Sequence, residues 1–468
     1  MEYILFDVEK IKNYVFDSFK PKEVNGASEL IKDLDYDSNT KETGEILKTI
    51  TEKFPGLKIV YSRGGGGMLK SEDSNGEEIC TELENTFSDK VKSAQLTAVA
   101  HPLEKDFKST FAILNYKLRD KKATKTLDMT MEHVVFEEEK SKCRACWKRV
   151  FTEREENKND PDFPRYCDVC WEKRKKGKTA VDSTEDIIQI DRDQNPQLKN
   201  VKETTDILVI YGDLNEAGTH LSAIEDEKSL KEFSDNVYET FTDTRLEIER
   251  ELTKRGFKFL MPVIGGDDMI IFTHPAAFDA IKDKLFEIET RLNEKLEKIR
   301  KIPVKMNFAF LTAKHNFPIF HLFNISDQLL KSTKEAYYND LNKLTYYGFF
   351  RLWEGDYMPA GNDVYAKSDF LTLFEMAKEI HKSSNINRST CHTLLDLIPD
   401  DAANAEQQLN LEYFLARHKE FDNYIGYENG KLWLKREKNP ILSKDNWKDI
   451  LDMEGLFHEP AGTNEEEG

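Results

Sequence analysis

The stretch Leu260-Met261-Pro262-Val263-Ile264-Gly265-Gly266-Asp267-Asp268-Met269-Ile270-Ile271-Phe272 sets the frame for the whole chain. Two apolar runs, Leu260 to Ile264 and Met269 to Phe272, flank a Gly-Gly-Asp-Asp turn, which is the pattern of a hairpin. Glycines let such a turn fold tightly beneath a phosphate. Two adjacent carboxylates then offer hard oxygen ligands that suit Mg²⁺ or Mn²⁺. Asp-rich turns also end hairpins that do no chemistry, so the flanking sequence has to decide.

Upstream, Ile207 to Tyr211 reads as a buried strand ending in Gly212-Asp213. The spacing of Leu230, Phe233, Val237, Phe241 and Leu246 predicts a helix over 227–254. Downstream come a second helical stretch, 278–299, and a strand over 304–311. The order strand, helix, hairpin, helix, strand predicts one antiparallel sheet covered on one face by two helices. The end of the first strand then lies beside the hairpin, and Asp213 faces Asp267 and Asp268 across the sheet. These three are the candidate catalytic residues and ligands of two Mg²⁺ or Mn²⁺ ions. Gly265, Gly266 and Leu214 are the candidate contacts to a bound nucleotide, as the tip of a nucleotidyl-transfer site would require.

The 468 residues carry 68 Lys+Arg against 87 Asp+Glu, a formal charge of −19. That length suggests about three domains. So acidic a balance argues against coating nucleic acid over the whole surface, and any such contact must be local. No apolar run approaches the roughly 20 residues of a membrane-spanning helix, and Met1-Glu2-Tyr3-Ile4 lacks a charged leader. A cytoplasmic protein without a membrane partner is expected.

Four of the six cysteines form Cys143-x-x-Cys146 and, after twenty residues, Cys167-x-x-Cys170, the spacing of two zinc knuckles closing one tetrahedral thiolate site. Four thiolates leave no open coordination position, so this Zn²⁺ is expected to be structural. The segment between, with Asn157, Asn159, Asp160, Pro161 and Pro164, is loop-like and relies on the metal for its folding energy. Around it lies a basic cluster of Lys142, Arg144, Lys148, Arg149, Arg165, Lys173, Arg174, Lys175, Lys176 and Lys178. It fits RNA or an acidic partner, and equally a set of charges that only solvate the module.

The N-terminal part echoes the middle without its acids. Tyr3 to Phe6 ends in Asp7, helical stretches follow, and Leu57 to Tyr61 leads into Arg63-Gly64-Gly65-Gly66-Gly67. Helical patterns near 77–90 and 103–118 bracket a short strand near 96–99. Asp7 stands where Asp213 stands, and Gly66 and Gly67 take the places of the two acids, so this copy is not expected to hold a catalytic metal. The amides of Gly64, Gly65, Gly66 and Gly67 suit the phosphates of a second nucleotide, unless the copy only buttresses the active one.

The combination Phe6-Asp7-Val8-x-x-Ile11-Lys12-x-Tyr14-Val15-Phe16, Gly26-Ala27-Ser28, a glycine-rich hairpin, paired CxxC knuckles and a second unit with Gly-Gly-Asp-Asp resembles the large palm-domain subunit of type III CRISPR effector complexes. The segment 314–334, with Pro318-Ile319 and the ending Leu330-Lys331-Ser332-Thr333-Lys334, is similar to the stretch after that turn in the family. The resemblance implies an α+β chain with two ferredoxin-like, nucleotide cyclase-like palm domains, a zinc-knuckle insertion and a C-terminal helical domain. The expected divisions are 1–135, 136–180, 181–345, 346–450 and a disordered tail, 451–468. It further implies a synthase that joins ATP by 3′–5′ linkage into cyclic oligoadenylates for antiviral defence. Asp213, Asp267 and Asp268 would hold the ions, Gly265 and Gly266 shape the turn, and Lys334 steady the triphosphate. Guide or target RNA and effector subunits are the implied partners, through the zinc module and the helical domain. In the latter, Phe370, Leu373, Phe374, Ala377 and Ile380 form one apolar stripe and Leu394, Leu395, Leu397 and Ile398 another.

The family often opens with a nuclease domain containing a His-Asp dipeptide. None occurs here, so DNA cleavage is not expected. Two rivals stay open: a cyclic dinucleotide synthase of the same fold, and a noncatalytic scaffold holding RNA or protein.

Overall fold

In the run Ile207 to Tyr211 neither face is polar, and all five side chains are fully buried. A strand that is apolar on both faces needs cover on both, and that demand shapes the molecule. The structure, a computed structural model, describes residues 1–37, 40–128, 142–152, 165–179, 181–190, 198, 204–262, 266–299, 302–352, 363–382, 388–398, 405–423, 425–428, 431–434 and 444–454.

The first sheet holds β1 (Glu2–Glu9), β2 (Lys58–Arg63), β3 (Gly66–Ser71) and β4 (Gln95–Pro102) in the order β2-β3-β1-β4, antiparallel throughout. The second holds β5 (Asp206–Leu214), β6 (Phe259–Leu260), β7 (Asp268–Thr273), β8 (Met306–Lys314), β9 (Tyr346–Arg351) and β10 (Val364–Ala366). Its order is β10-β9-β8-β5-β7-β6, and β9 runs parallel to β8. The expected purely antiparallel sheet is corrected here. β9 returns to the sheet across a helix, and such a crossover delivers a parallel neighbour.

The first palm adds α1 (Ile11–Val15), α2 (Pro21–Ile31), α3 (Glu45–Lys53), α4 (Gly76–Lys90) and α5 (Phe107–Asp128). The cysteine module contributes α6 (Asp168–Lys176), and the second palm contributes α7 (Glu227–Arg255), α8 (Phe278–Lys295) and α9 (Ile319–Asn339). Helix α7 begins where Asp226 accepts a bond from the Ser229 amide (2.8 Å), and it ends at Gly256, whose φ of 77° suits a residue without Cβ.

The expectation of cover on one face only is also corrected. Leu208, Ile210, Ile271 and Phe310 point into a core shared with Phe233, Val237 and Phe241 of α7 and Ile281 and Leu285 of α8. Ile207, Val209, Tyr211, Ile270 and Phe272 point the other way, into a core shared with Leu322, Phe323 and Leu329 of α9. The pleat sends alternate residues to opposite faces, so one apolar run feeds both cores. Each buried large apolar side chain contributes about 1.5–3 kcal/mol.

Beyond the second palm lie α10 (Lys367–Lys382), α11 (Arg388–Leu397), α12 (Ala405–Arg417), a hairpin of β11 (Ile425–Glu428) and β12 (Lys431–Leu434), and α13 (Lys444–Glu454). The stripe of Phe370, Leu373, Phe374, Ala377 and Ile380 is buried. Phe370 stacks on Phe310 and Phe374 meets Phe278 edge-on, both at 5.1 Å, so α10 shares the core of the second palm. The division expected at 345/346 falls ahead of two strands that complete the second sheet. The expected tail also begins too early, because α13 runs to Glu454 with Leu451 and Met453 buried. The remainder of that tail, 455–468, and the loop carrying Asn157 to Pro164 lie outside the described residues.

Candidate active site and cysteine centre

Register places the acids. Asp213, next to last in β5, pairs directly with Asp268, the first residue of β7, while Asp267 precedes it in the turn. The Leu214 amide donates to the Asp267 carbonyl (3.3 Å), holding the turn against the strand end. One carboxylate oxygen from each of Asp213, Asp267 and Asp268 lies within 4.8 Å of the other two. Gly265 lies outside the described residues. At Gly266 nothing stands within 4 Å of where a Cβ would be, so the turn leaves open space beside the acids.

Two ammonium groups answer these carboxylates. Lys334, on α9 as expected, pairs with Asp213. Lys12, from α1 of the first palm, lies 3.3 and 3.2 Å from the two oxygens of Asp268. The Tyr211 hydroxyl donates to Asp268 Oδ1 (3.3 Å), and its ring lies 5.1 Å below the Lys12 ammonium. Burial and the neighbouring charge of Asp268 push Asp267 up to about 7, and burial also raises Asp268. Burial, and then the charge of Lys12, push Lys334 down to about 8. Three carboxylates are thus crowded in poor solvent, with two ammoniums already standing in as counter-ions. Hard oxygens at this spacing fit divalent ions, which would hold all three acids ionised.

The site opens on a cleft of about 950 Å³ between the two palms, lined by Asp7, Lys12, Gly64 and Tyr61 on one side and by Leu214 and Asp267 on the other. Asp7 lies near enough for its charge to raise Asp267 further. Its own partner is Lys122 of α5.

The glycine run departs from expectation by one residue. Gly66 pairs with Asp7 as Asp268 pairs with Asp213, so Gly65 and Gly66, rather than Gly66 and Gly67, stand in the places of the acids. Gly67 is a strand residue opposite Phe6, where an added Cβ would lie 2.5 Å from the Phe6 ring. Gly64 and Gly65, at φ 58° and 83°, make the turn. The carboxylate of Asp35 accepts from the Gly64 amide (2.9 Å) and from that of Gly65, so the nest expected to cradle a phosphate already holds an anion from its own chain.

The four sulfurs of Cys143, Cys146, Cys167 and Cys170 also lie within 4.8 Å of one another, and all four residues are buried. Amides of Ala145 and Cys170 donate to Cys143 and Cys167 (3.5 Å each), and Arg149 lies 3.7 Å from the Cys146 sulfur. Donors and a cation around clustered sulfurs favour thiolates, and a closed thiolate tetrad fits Zn²⁺ in a structural role.

Half of the basic cluster around this centre is paired with the first palm, while Arg144, Lys148, Arg165, Lys175 and Lys178 are exposed. Lys173 is fully buried and donates to the Tyr14 carbonyl (2.6 Å); Arg174 pairs with Glu23, Lys176 with Asp33, and Lys148 and Arg149 with Asp17. Five of the ten basic residues thus find partners in the first palm of the same chain. Gly26 of α2 permits the approach, since a Cβ there would lie 1.6 Å from the Lys173 carbonyl oxygen.

Sequence reasoning missed two members of the acidic site. Tyr211 read only as part of an apolar strand, and Lys12 only as one letter of a family motif. Nothing local marks Lys12, because the acids it serves are 255 and 256 residues away along the chain.

Two palms, a thiolate knuckle and an aspartate triad at the seam define a tandem palm-domain fold. It is the fold of Csm1. The crystal structure of Csm1 in T. onnurineus superposes with a TM-score of 0.62 at 13% identity, covering 98% of this chain and 69% of that one. A Csm1–Csm4 cassette in complex with cA4 gives 0.58 at 12%, covering 98% and 70%. The Csm1–Csm4 subcomplex of the type III-A CRISPR-Csm interference complex gives 0.55 at 12%, covering 97% and 70%. No protein-family description and no curated protein matches the sequence. Among the described residues no helix is long and apolar enough to cross a membrane.

Proposed function

We propose that the chain is a nucleotidyltransferase that converts ATP into 3′–5′ linked cyclic oligoadenylates, as a subunit of a type III CRISPR effector or a stand-alone relative. The observation that carries this reading is the convergence of Asp213, Asp267 and Asp268 within 4.8 Å, at a cleft about 950 Å³ in volume. Such a volume is ample for a nucleotide. The choice of adenine is supported by structures of the same fold in complex with cA3, cA4, pppApApA and AMPPNP.

In the reaction the 3′-oxygen of one ATP bonds to the α-phosphorus of another, the bond from that phosphorus to the pyrophosphate oxygen breaks, and the hydroxyl proton passes to solvent. Divalent ions held by the three aspartates would supply charge for the attacking and leaving oxygens. The chain's own part is positional. The β5–β7 register holds the acids together, the open space at Gly266 leaves room for phosphate, and Lys334 offers a point charge to the triphosphate. Leu214 forms part of the cleft wall. Incubation with each NTP and Mn²⁺ or Mg²⁺, with and without RNA, followed by mass spectrometry, tests the reading. Cyclic oligoadenylate from ATP is the expected product, and a cyclic dinucleotide or no product from any NTP overturns it.

A further inference from the structure

We propose that Lys12 is a triphosphate-binding residue that the first palm contributes to the second, and that it reaches the polyphosphate only when a divalent ion displaces it from Asp268. The inference rests on the reading of the triad as a metal site. It comes from a conflict of occupancy: the ammonium lies 3.3 and 3.2 Å from the two Asp268 oxygens, so it claims the same atoms that an ion needs. Divalent ions bind carboxylate oxygens at about 2.0–2.6 Å, too close to leave the ammonium its place.

Where the displaced group goes is set by the packing around it. The segment behind Lys12 is held firmly. The Phe16 ring stacks on Phe323 at 4.0 Å, the Tyr14 carbonyl receives the buried Lys173, and the Phe19 amide donates to the Ala145 carbonyl beside the cysteine centre (2.8 Å). Below the ammonium lies the Tyr211 ring, and toward Asp213 stands the like charge of Lys334. The open direction is the cleft, which Lys12 lines and where its side chain is 35% exposed. The anion arriving there with the ions is the polyphosphate of a nucleoside triphosphate. One lysine thus serves as counter-ion to the acids and then to the substrate. The palm that lacks the acids supplies it.

The test uses the full-length protein and Lys12→Met, which keeps the aliphatic stem over Tyr211, with Mn²⁺ binding read by EPR and AMPPNP binding read by calorimetry in saturating Mn²⁺. The expected result is a shift of opposite sign in the two affinities. Mn²⁺ alone binds a few-fold tighter once its competitor is gone, and AMPPNP binds roughly tenfold weaker for want of a charged donor. Lys12→Arg is expected to recover most of the nucleotide affinity. A lysine that merely latches the palms together would move both affinities in the same direction or neither, and either outcome overturns the inference. Failure of the unaltered protein to bind Mn²⁺ in an Asp267- and Asp268-dependent way overturns the metal-site reading as well, whereas normal Mn²⁺ binding with an unmoved Lys12→Met overturns the role of Lys12 alone.

Discussion

The two palms share a strand order at their centres, with β3-β1-β4 matching β7-β5-β8, and each central strand carries an aspartate near its end. They differ in how their charges are balanced. In the first palm Asp7 is matched by Lys122, and the glycine turn is filled by Asp35, both from within that palm. In the second, three acids meet one lysine of their own, Lys334, and a second is borrowed across the seam. A self-neutralised palm has little use for external ions, whereas three crowded acids short of counter-charge have the chemistry to take them up. A shared strand order thus carries a self-neutralised turn in one copy and, in the other, an acidic cluster whose spacing fits divalent ions.

The sharpest way to break this comparison is to take the acids from the second palm. Replacing Asp267 and Asp268 together with Ala is expected to lower product formation by at least about a thousandfold and to abolish Mn²⁺ binding. Thermal melting should hold or rise, because crowded buried carboxylates are removed. Residual synthesis near the unaltered level would end the assignment.

The next effect is on the support for Lys12. Stripping the thiolate centre with a chelator, or Cys143→Ser, is expected to release one Zn²⁺ per chain by elemental analysis and to destabilise the first palm by several kcal/mol. AMPPNP affinity should fall with it, because the segment from Tyr14 to Phe19, at the end of α1 and just after it, loses the contacts of Lys173, Arg149 and Ala145. Retention of full nucleotide affinity by the zinc-free protein would separate the module from the site.

A smaller loss is expected at the seam itself. Arg63, 7% exposed, pairs with Asp235 at 2.8 Å and lies 3.9 Å over the Tyr238 ring, so Arg63→Ala should cost about 1–3 kcal/mol in denaturant unfolding. The exposed pair Lys58–Glu72 provides the control, since Lys58→Ala should stay within about 0.5 kcal/mol. Equal costs at the two positions would mean that the palms are not joined through Arg63.

The smallest effect is expected at Asp7. Changing it to Asn should leave the number of Mn²⁺ ions bound unchanged and their affinity within about threefold, because that charge acts on the triad only at a distance. Loss of an ion would make Asp7 a ligand and erase the asymmetry between the palms.

Much of this was legible from one dimension because it depends on neighbours in the chain. The apolar runs of β5 and β7, the helical spacing of α7 and the CxxC pairs are local patterns, and each element lies where its pattern placed it to within a few residues. Apart from the boundary of the tail, the misreadings concern partners distant in sequence. Counting glycines aligns the run to the acids one residue out, because the pairing of Gly66 with Asp7 is set by the sheet. The strands β9 and β10 fall in a region expected to be helical, because Tyr346 to Arg351 gains its place only beside β8. Nothing nearby in sequence shows that Glu23, Asp33 and Asp17 await four of the basic residues near the cysteines.

Read alone, the chain of residues determined that a pair of acids before an apolar strand, an aspartate-tipped strand and a tetrad of cysteines exist, since hydrophobic period and ligand spacing act over a handful of positions. Only the folded molecule decided which charges meet. Coulomb forces depend on separation in space, and it is the packing of α1 between the cysteine module and the second palm that brings Lys12 to Asp268.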